Sequence, residues 1–408
     1  MEQPLYELPE GWEWRPLSSV TNILGGGTPK TKEPEYWDGD VVWLSPTDLP
    51  SIGDLTYISD SSKKITEKGL AKSSARLMPA GTVVYSTRAT IGKIAIADRD
   101  LATNQGFTNF ICSDHLYNRY LAYVLVQQTP AIASLSNSTT FKEVSKTNIK
   151  GFEIPIAPLN EQKRIVAKLD ALFTRIDAAI THLQETLELS KALFASALDG
   201  AFRECEAESV SLTEVVDFIG GSQPPKAEFS EVAHEGYVRL IQIRDYKTDA
   251  HIVYVNAKST KKFCNADDVM IGRYGPPVFQ ILRGLEGAYN VALMKASPNE
   301  SVLSKDFLYW FLQSPSIQDY IVGLSQRAAG QSGVNKKALE KYEIPLPSLE
   351  EQAAIIAHLG AFAEHTRTLE TETQERLDQL TTLKSSLLDT AFKGQLFTDD
   401  VEGAIGAG

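Results

Sequence analysis

Cysteine is scarce in this 408-residue sequence: only Cys112, Cys205 and Cys264 occur, scattered and odd in number. That excludes a disulfide framework and any CxxC metal pair, and makes a reducing cytoplasm the simplest compartment. Histidine is also sparse. His115, His182, His234, His251, His358 and His365 lack metal-ligand spacing, so no metal site is expected. His358 and His365 lie seven apart on one side of a helix but have no third ligand, and read as solvated or partner-facing. No apolar run reaches bilayer-spanning length. The start, Met1 to Glu7, is acidic and lacks the basic and apolar regions of a signal peptide, so no membrane partner is expected. There is neither a Gly-x4-Gly-Lys-Ser/Thr phosphate loop nor a Gly-x-Gly-x-x-Gly opening a helix after a strand. No cofactor is expected.

What is present is an ordinary globular composition, 43% hydrophobic and 23% charged, long enough for two or three domains. The net charge is −12, but it is unevenly placed. Residues 345–408 hold 4 Lys and Arg against 11 Asp and Glu. Residues 1–155 hold 15 against 17, and residues 207–344 hold 15 against 16. Each of the two larger segments is nearly neutral and has room for a basic face, so the total charge does not exclude nucleic acid.

The chain repeats itself. Ile154-Pro155-Ile156-Ala157-Pro158-Leu159-Asn160-Glu161-Gln162 returns 190 residues later as Ile344-Pro345-Leu346-Pro347-Ser348-Leu349-Glu350-Glu351-Gln352. Leu198 to Phe202 returns at the same shift as Leu388 to Phe392. Near the start of each half, Gly25-Gly26-Gly27-Thr28-Pro29 is echoed by Gly220-Gly221-Ser222-Gln223-Pro224, and Leu44 to Asp48 by Ile241 to Asp245. The order of landmarks is the same in both halves, which marks a duplication.

Each half opens with about 150 residues of short β-branched runs punctuated by Gly and Pro. Examples are Gly81 to Ser86 and Gly92 to Ala97, with helical stretches at Asn118 to Gln128 and Asp306 to Gln313. An α+β domain follows from this mixture. A long helix closes each half. Ile165, Leu169, Leu172, Ile176, Ala179 and Leu183 form a heptad seam in the first, which is expected from about Asn160 to Ala201. In the second the seam runs Ile355, Leu359, Phe362, Thr366, Leu369, Thr373, Leu380, Leu383, Leu387, with polar positions at Thr366 and Thr373. Ser348 and Glu351 form a capping box at its start, and Gly394 is the expected stop. Single seams of this length need a partner. Two similar helices in one chain suggest an antiparallel coiled coil with one globular domain at each end and pseudo-twofold symmetry. The alternative is that each helix packs on its own domain.

A variable domain, an Ile-Pro junction and a heptad helix, then all three again, resemble the specificity subunit of a type I restriction–modification system. Further landmarks agree: Trp43 to Asp48, Ser86 to Lys93, Asn104-Gln105-Gly106-Phe107, Gly272 to Gly275 and Gly287 to Ala292. The resemblance implies target recognition domains at 1–157 and 207–346, conserved spacer helices at 158–206 and 347–397, and a flexible tail at 398–408. It implies double-stranded DNA with a bipartite site as ligand, with two modification (methyltransferase) subunits and restriction (translocase and nuclease) subunits as partners. It also implies no S-adenosylmethionine, ATP or metal site and no catalysis by this chain. The competing readings are a DNA-modifying enzyme in its own right and a coiled-coil protein-interaction scaffold. Gly275-Pro276-Pro277-Val278 has the Pro-Pro core of an amino-methyltransferase motif but lacks its preceding Asn, Asp or Ser and its closing aromatic residue, and reads as a turn.

The candidates for DNA contact are polar loops. Thr28, Lys30 and Lys32 follow three glycines, which lets backbone approach phosphate closely, although a strand-entry loop fits equally. Ser45 and Thr47 belong to the Trp43 to Asp48 landmark. Arg88, Thr90 and Lys93 flank a tight turn; Arg suits guanine O6 and N7, whereas Lys there suits phosphate. Gln242, Arg244, Arg273 and Tyr274 fall in corresponding regions of the second half. Before the Ile-Pro junctions stand Thr139, Thr140, Lys142 and Lys146 in one half and Gln331, Ser332, Asn335, Lys336 and Lys337 in the other. Lys142, Lys146 and Lys150 at four-residue spacing give a helix there one basic face. A solvated charged face is the alternative.

Overall fold

A computed structural model describes residues 6–136, 142–327 and 333–397. The chain forms two compact units, one of residues 1–182 and 376–408, the other of 183–375. Each unit therefore contains its own α+β domain, half of one long helix and half of the other.

In the first unit Thr21–Gly25, Phe107–Cys112, Val83–Ser86, Ile94–Ala97 and Tyr57–Ile58 lie side by side in that order. The strands Val83–Ser86 and Ile94–Ala97 are buried throughout. Alternation decides which core each side chain enters. Val83, Tyr85, Ile94 and Ile96 join the larger core, with Tyr120, Leu121, Val124 and Leu125 of the helix Asn118–Ser134. Val84, Ala95 and Ala97 point the other way, toward Leu44, Met78 and Phe107. A smaller sheet, Lys64–Ile65, Trp37–Leu44 and Ala102–Thr103, and the pair Glu13–Pro16 with Glu153–Ile156 complete the domain.

The second unit repeats the plan. Val216–Gly220, Leu293–Pro298, Val269–Gly272 and Gln280–Leu282 follow the same order, with no counterpart to the outer strand Tyr57–Ile58 among the described residues. The second sheet is again built on a parallel pair: Tyr237–Ile241 with Gly287–Tyr289, as Trp37–Leu44 with Ala102–Thr103. Helices Lys305–Phe311 and Pro315–Arg327 cover the first of these sheets through Phe307, Leu308, Phe311, Ile317 and Ile321.

The long helices run Leu159–Arg203 and Leu349–Phe392 and pair antiparallel. In the first unit Ile165, Leu169, Leu172 and Ile176 share a core with Leu387, Leu388, Ala391 and Phe392. In the second, Phe194 lies 5.9 Å from Phe362, and Leu198 and Phe202 share a core with Leu359. The first seam matches its spacing. The second departs from it: Leu369 and Leu383 are each 43% exposed, while Thr373 is buried and Leu387 closes the stripe. A 3.6-residue helix drifts relative to a strict seven-residue repeat, so alternative positions rotate on to the contact line. Ser348 and Glu351 form the capping box, with Ser348 N donating to Glu351 Oε2 at 2.9 Å and Glu351 N to Ser348 Oγ at 3.3 Å. Gly394 has φ +74° just past the second helix, the left-handed stop that glycine takes most readily. Among the described residues, no helix is long and apolar enough to cross a membrane, and no cluster of three or more His, Cys, Asp or Glu could hold a metal ion.

Candidate nucleic-acid interface

Four separate segments of the first unit converge on one cluster of loops. The Gly25-Gly26-Gly27 turn closes on Thr103 and Asn104. Gly27 N donates to Thr103 O at 2.8 Å, and a side chain on Gly26 would collide with the Asn104 carbonyl. Two indoles brace the same loop, Trp43 Nε1 donating to Gly27 O at 2.8 Å and Trp37 Nε1 to Lys30 O at 3.2 Å. Thr28 donates its hydroxyl to the Gln105 side chain, while Lys30 and Lys32 remain exposed.

The Ser86 to Lys93 turn joins this loop through Thr87 N to Gly106 O at 2.9 Å. On its other side it pairs with the segment before the Ile-Pro junction. Val144 N donates to Thr87 O at 3.0 Å, Ala89 N donates to Lys142 O at 2.9 Å, and Arg88 Nε lies 3.5 Å from Glu143 Oε2. Ala89 sits at φ +61°, a left-handed conformation that costs a Cβ-bearing residue roughly 1–2 kcal/mol. Arg88 and Thr90, on either side of it, are exposed. Lys146 extends its ammonium against the bare Cα of Gly25, linking the last segment to the first.

The expected basic helix differs in one respect. It spans Lys146–Gly151, because Ser145 takes the N-cap and accepts from Asn148 N at 3.1 Å. Lys142 therefore precedes the helix, in the extended pairing with Ala89. Lys142, Lys146 and Lys150 are all exposed. Lys93 turns inward, its ammonium donating to the carbonyls of Pro46 and Leu49 at 3.0 Å each. Ser45 is tied to Asp48, donating N–H and hydroxyl to Oδ2 at 2.7 Å each, and Thr47 is exposed beside it. Burial raises the Asp48 carboxyl, but bonds from Ser62 and Ser45 outweigh it and hold the group below its ordinary value.

The second unit repeats several of the backbone bonds that join these loops. A side chain on Gly221 would collide with the Asn290 carbonyl, and Ser222 N donates to Tyr289 O at 3.2 Å. Val334 N donates to Arg273 O at 2.9 Å, as Val144 N does to Thr87 O. Tyr274 bridges Gly333, as Arg88 bridges Glu143, and Gly275 has φ +97° where Ala89 has φ +61°. Gln242 N donates to Asp245 Oδ2 at 2.9 Å, repeating Ser45 and Asp48. Here burial dominates and Asp245 is raised despite the backbone bond from Gln242 and the nearby Arg239 and Arg244. Arg244 is half-exposed at the shoulder of this turn.

Arg273 stacks its guanidinium over the Tyr274 ring at 5.2 Å and donates to Val291 O at 3.3 Å. Its Nη1 is 3.8 Å from where a Gly220 side chain would begin, the place Lys146 occupies beside Gly25. Asn335 caps the short helix Lys336–Glu340. Lys336 and Lys337 are exposed on it, with Lys336 3.4 Å from Glu340. Thr139, Thr140, Gln331 and Ser332 lie outside the described residues. Two exposed amides belong to the clusters but were not selected from the sequence: Gln105, bonded to Thr28, and Gln223, the repeat counterpart of Thr28. Extending the repeat alignment beyond the glycines finds Gln223.

The sequence profile described as Type I restriction modification DNA specificity domain matches residues 9–189 and 205–379. The chain is 36% identical over 170 residues to the MjaIX specificity subunit of Methanocaldococcus jannaschii, covering 41% of this chain and 39% of that one. It is 24% identical over 433 residues to the EcoKI specificity subunit of Escherichia coli, covering 96% and 90%. One similar solved chain comes from a study of complex assembly and conformational transition of the type I R-M system. It has a TM-score of 0.79 at 24% identity, covering 96% of this chain and all of that one. The HsdS subunit of Thermoanaerobacter tengcongensis gives 0.56 at 24% identity, covering 96% and 99%.

Proposed function

Since this chain belongs to the type I restriction–modification DNA specificity family, we propose that each unit reads one part of a bipartite double-stranded DNA site through its loop cluster. The chain is the recognition component and leaves catalysis to others. The observation that carries this reading is the duplicated convergence of exposed cations and amides on loops fixed by the same backbone bonds. In the first unit these are Lys30, Lys32, Arg88, Gln105, Lys142 and Lys146; in the second they are Gln223, Arg244, Lys336 and Lys337, with the half-buried Arg273 stacked on the exposed Tyr274. Lysines there meet phosphates, which position the protein, while Arg and Gln have the donors and acceptors to read base edges. Lys93 and Ser45 support the loops instead of contacting DNA, since both are engaged within the unit.

The paired helices dock two modification subunits, and restriction subunits join that core. The helices also set the number of unread bases between the half-sites. The first is 45 residues long, or about 68 Å at 1.5 Å per residue, against roughly 34–36 Å for one turn of DNA. The assembly works in the cytoplasm. The test is reconstitution: the chain, a cognate modification subunit and S-adenosylmethionine methylate one defined sequence, while the rigorously purified chain alone neither methylates nor cuts. Turnover by the chain alone contradicts the reading.

A further inference from the structure

The duplication leaves a seat that is filled in the first unit and open in the second. In the first, Tyr6 lies against the end of the second long helix. Its hydroxyl donates to Phe392 O at 2.8 Å, its ring meets Trp14 edge-on at 4.9 Å, and the Lys393 ammonium is 5.9 Å from the ring centroid. The repeat assigns counterparts in the second unit. Asp199, Phe202 and Arg203 stand where the first unit has Asp389, Phe392 and Lys393, at the 190-residue shift. Strand register gives the fourth: Trp14 faces Pro155, and Ser209 faces Pro345. The packing agrees, because Phe392 meets Tyr120 edge-on at 5.3 Å and Phe202 meets Phe307 at 5.1 Å.

Tyr6 alone has no counterpart. Tyr6 lies eight residues before Trp14, whereas the residue eight before Ser209 is Ala201, still inside the long helix. What remains is a cavity of about 440 Å³ bounded by Asp199, Phe202, Arg203, Ser209, Tyr320 and Tyr342. That volume lies within the range of small-ligand clefts. Phe202 belongs to the last helical turn, whose carbonyls have no intrahelical donor. Arg203 is 74% exposed and makes a loose ion pair to Asp199 at 3.8 Å. Tyr320 is 46% exposed, with its ring 5.2 Å from that of Tyr342.

We propose that this cavity binds the tyrosine side chain of an extended peptide segment from a partner protein, with its hydroxyl on the Phe202 carbonyl and its ring under the Arg203 guanidinium. The occupant's chemistry is read from Tyr6, which satisfies the same groups in the first unit. An apolar side chain leaves the helix carbonyl without a donor, and Ser209 in place of Trp14 leaves room for a ring.

The test is titration of the full-length chain with a fluorescent peptide copying residues 4–10, Pro-Leu-Tyr-Glu-Leu-Pro-Glu, and with its Tyr→Ala version. The parent chain binds one equivalent of the tyrosine peptide and none of the alanine peptide. Arg203→Ala weakens binding about five- to tenfold, in keeping with loss of a partly desolvated cation–π contact, and Tyr320→Ala weakens it similarly. Both side chains are exposed enough for the variants to fold. Equal binding of the two peptides, no saturable binding at millimolar peptide, or indifference to both Arg203→Ala and Tyr320→Ala overturns the proposal. So does saturation of the cavity by a free deoxynucleotide in preference to the peptide.

Discussion

Gln162 accepts the backbone N–H of Tyr117 at 2.8 Å, and its own amide donates to His115 O and Ala157 O at 3.0 and 2.8 Å. The side chain is fully buried and pins the first turn of the long helix to the start of the helix Asn118–Ser134. Gln352 does the same in the other half, accepting from Ser304 N at 2.9 Å and donating to Val302 O and Pro347 O at 2.7 and 2.9 Å. The glutamine of the repeated junction is thus a joint between helix and domain.

Replacing Gln162 with Leu takes this partner from three backbone groups, the buried Ala157 carbonyl and the partly exposed Tyr117 N–H and His115 carbonyl. A buried group left unpaired costs about 1–3 kcal/mol, and water reaches the other two, so the variant loses about 1–3 kcal/mol. Urea unfolding followed by circular dichroism measures it. A loss below about 1 kcal/mol shows that the joint does not hold the helix.

Ala89 carries a left-handed backbone where the second half has Gly275. Ala89→Gly relieves the clash of Cβ with the following carbonyl and raises stability by about 1 kcal/mol, offset in part by the greater freedom of glycine in the unfolded chain. The thermal midpoint rises and DNA affinity is retained. A lowered midpoint contradicts the strain.

The cations separate by role. Alanine at Lys142 and Lys146, or at Lys336 and Lys337, weakens binding to all sequences and flattens the salt slope by roughly one per lost phosphate contact. Alanine at Arg88 or Arg273 relaxes specificity at one position, costing about 1–3 kcal/mol where the guanidinium reads guanine. Fluorescence anisotropy over a salt series separates the two. If none of these variants changes affinity, slope or specificity, the DNA face lies elsewhere.

The local signals carried far into this fold. The Ser348–Glu351 cap, the Gly394 stop and the short strands depend on neighbours in sequence, and each recurs in the structure, as does the 190-residue repeat. Side-chain direction across long separations was not legible. Lys93 looks like a free cation in Ser86 to Lys93, yet carbonyls more than forty residues away take its ammonium. Lys142 shares helical spacing with Lys146, but its backbone pairs with Ala89. Leu369 and Leu383 fit a seven-residue repeat, but the partner helix selects a slightly rotated stripe. That each unit is completed by half of the other repeat's helix, by contrast, is what the two matching helices suggested.

The helices as ruler make a separate prediction. Four residues inserted after Leu183 nearly preserve the seam, because four is close to one turn of 3.6. The helix lengthens by about 6 Å, comparable to two base pairs at about 3.4 Å each. The insertion variant, assembled with its modification subunit, keeps both half-sites and gains unread bases between them. An unchanged spacer, or altered half-site bases, contradicts the ruler.

The most direct test of two units reading two half-sites is to map every methylated base on random-sequence DNA after incubation with the reconstituted complex of this chain and its modification subunit. The account predicts one motif made of two short specified blocks separated by unread bases. A single uninterrupted block, or methylation with no sequence preference, contradicts it.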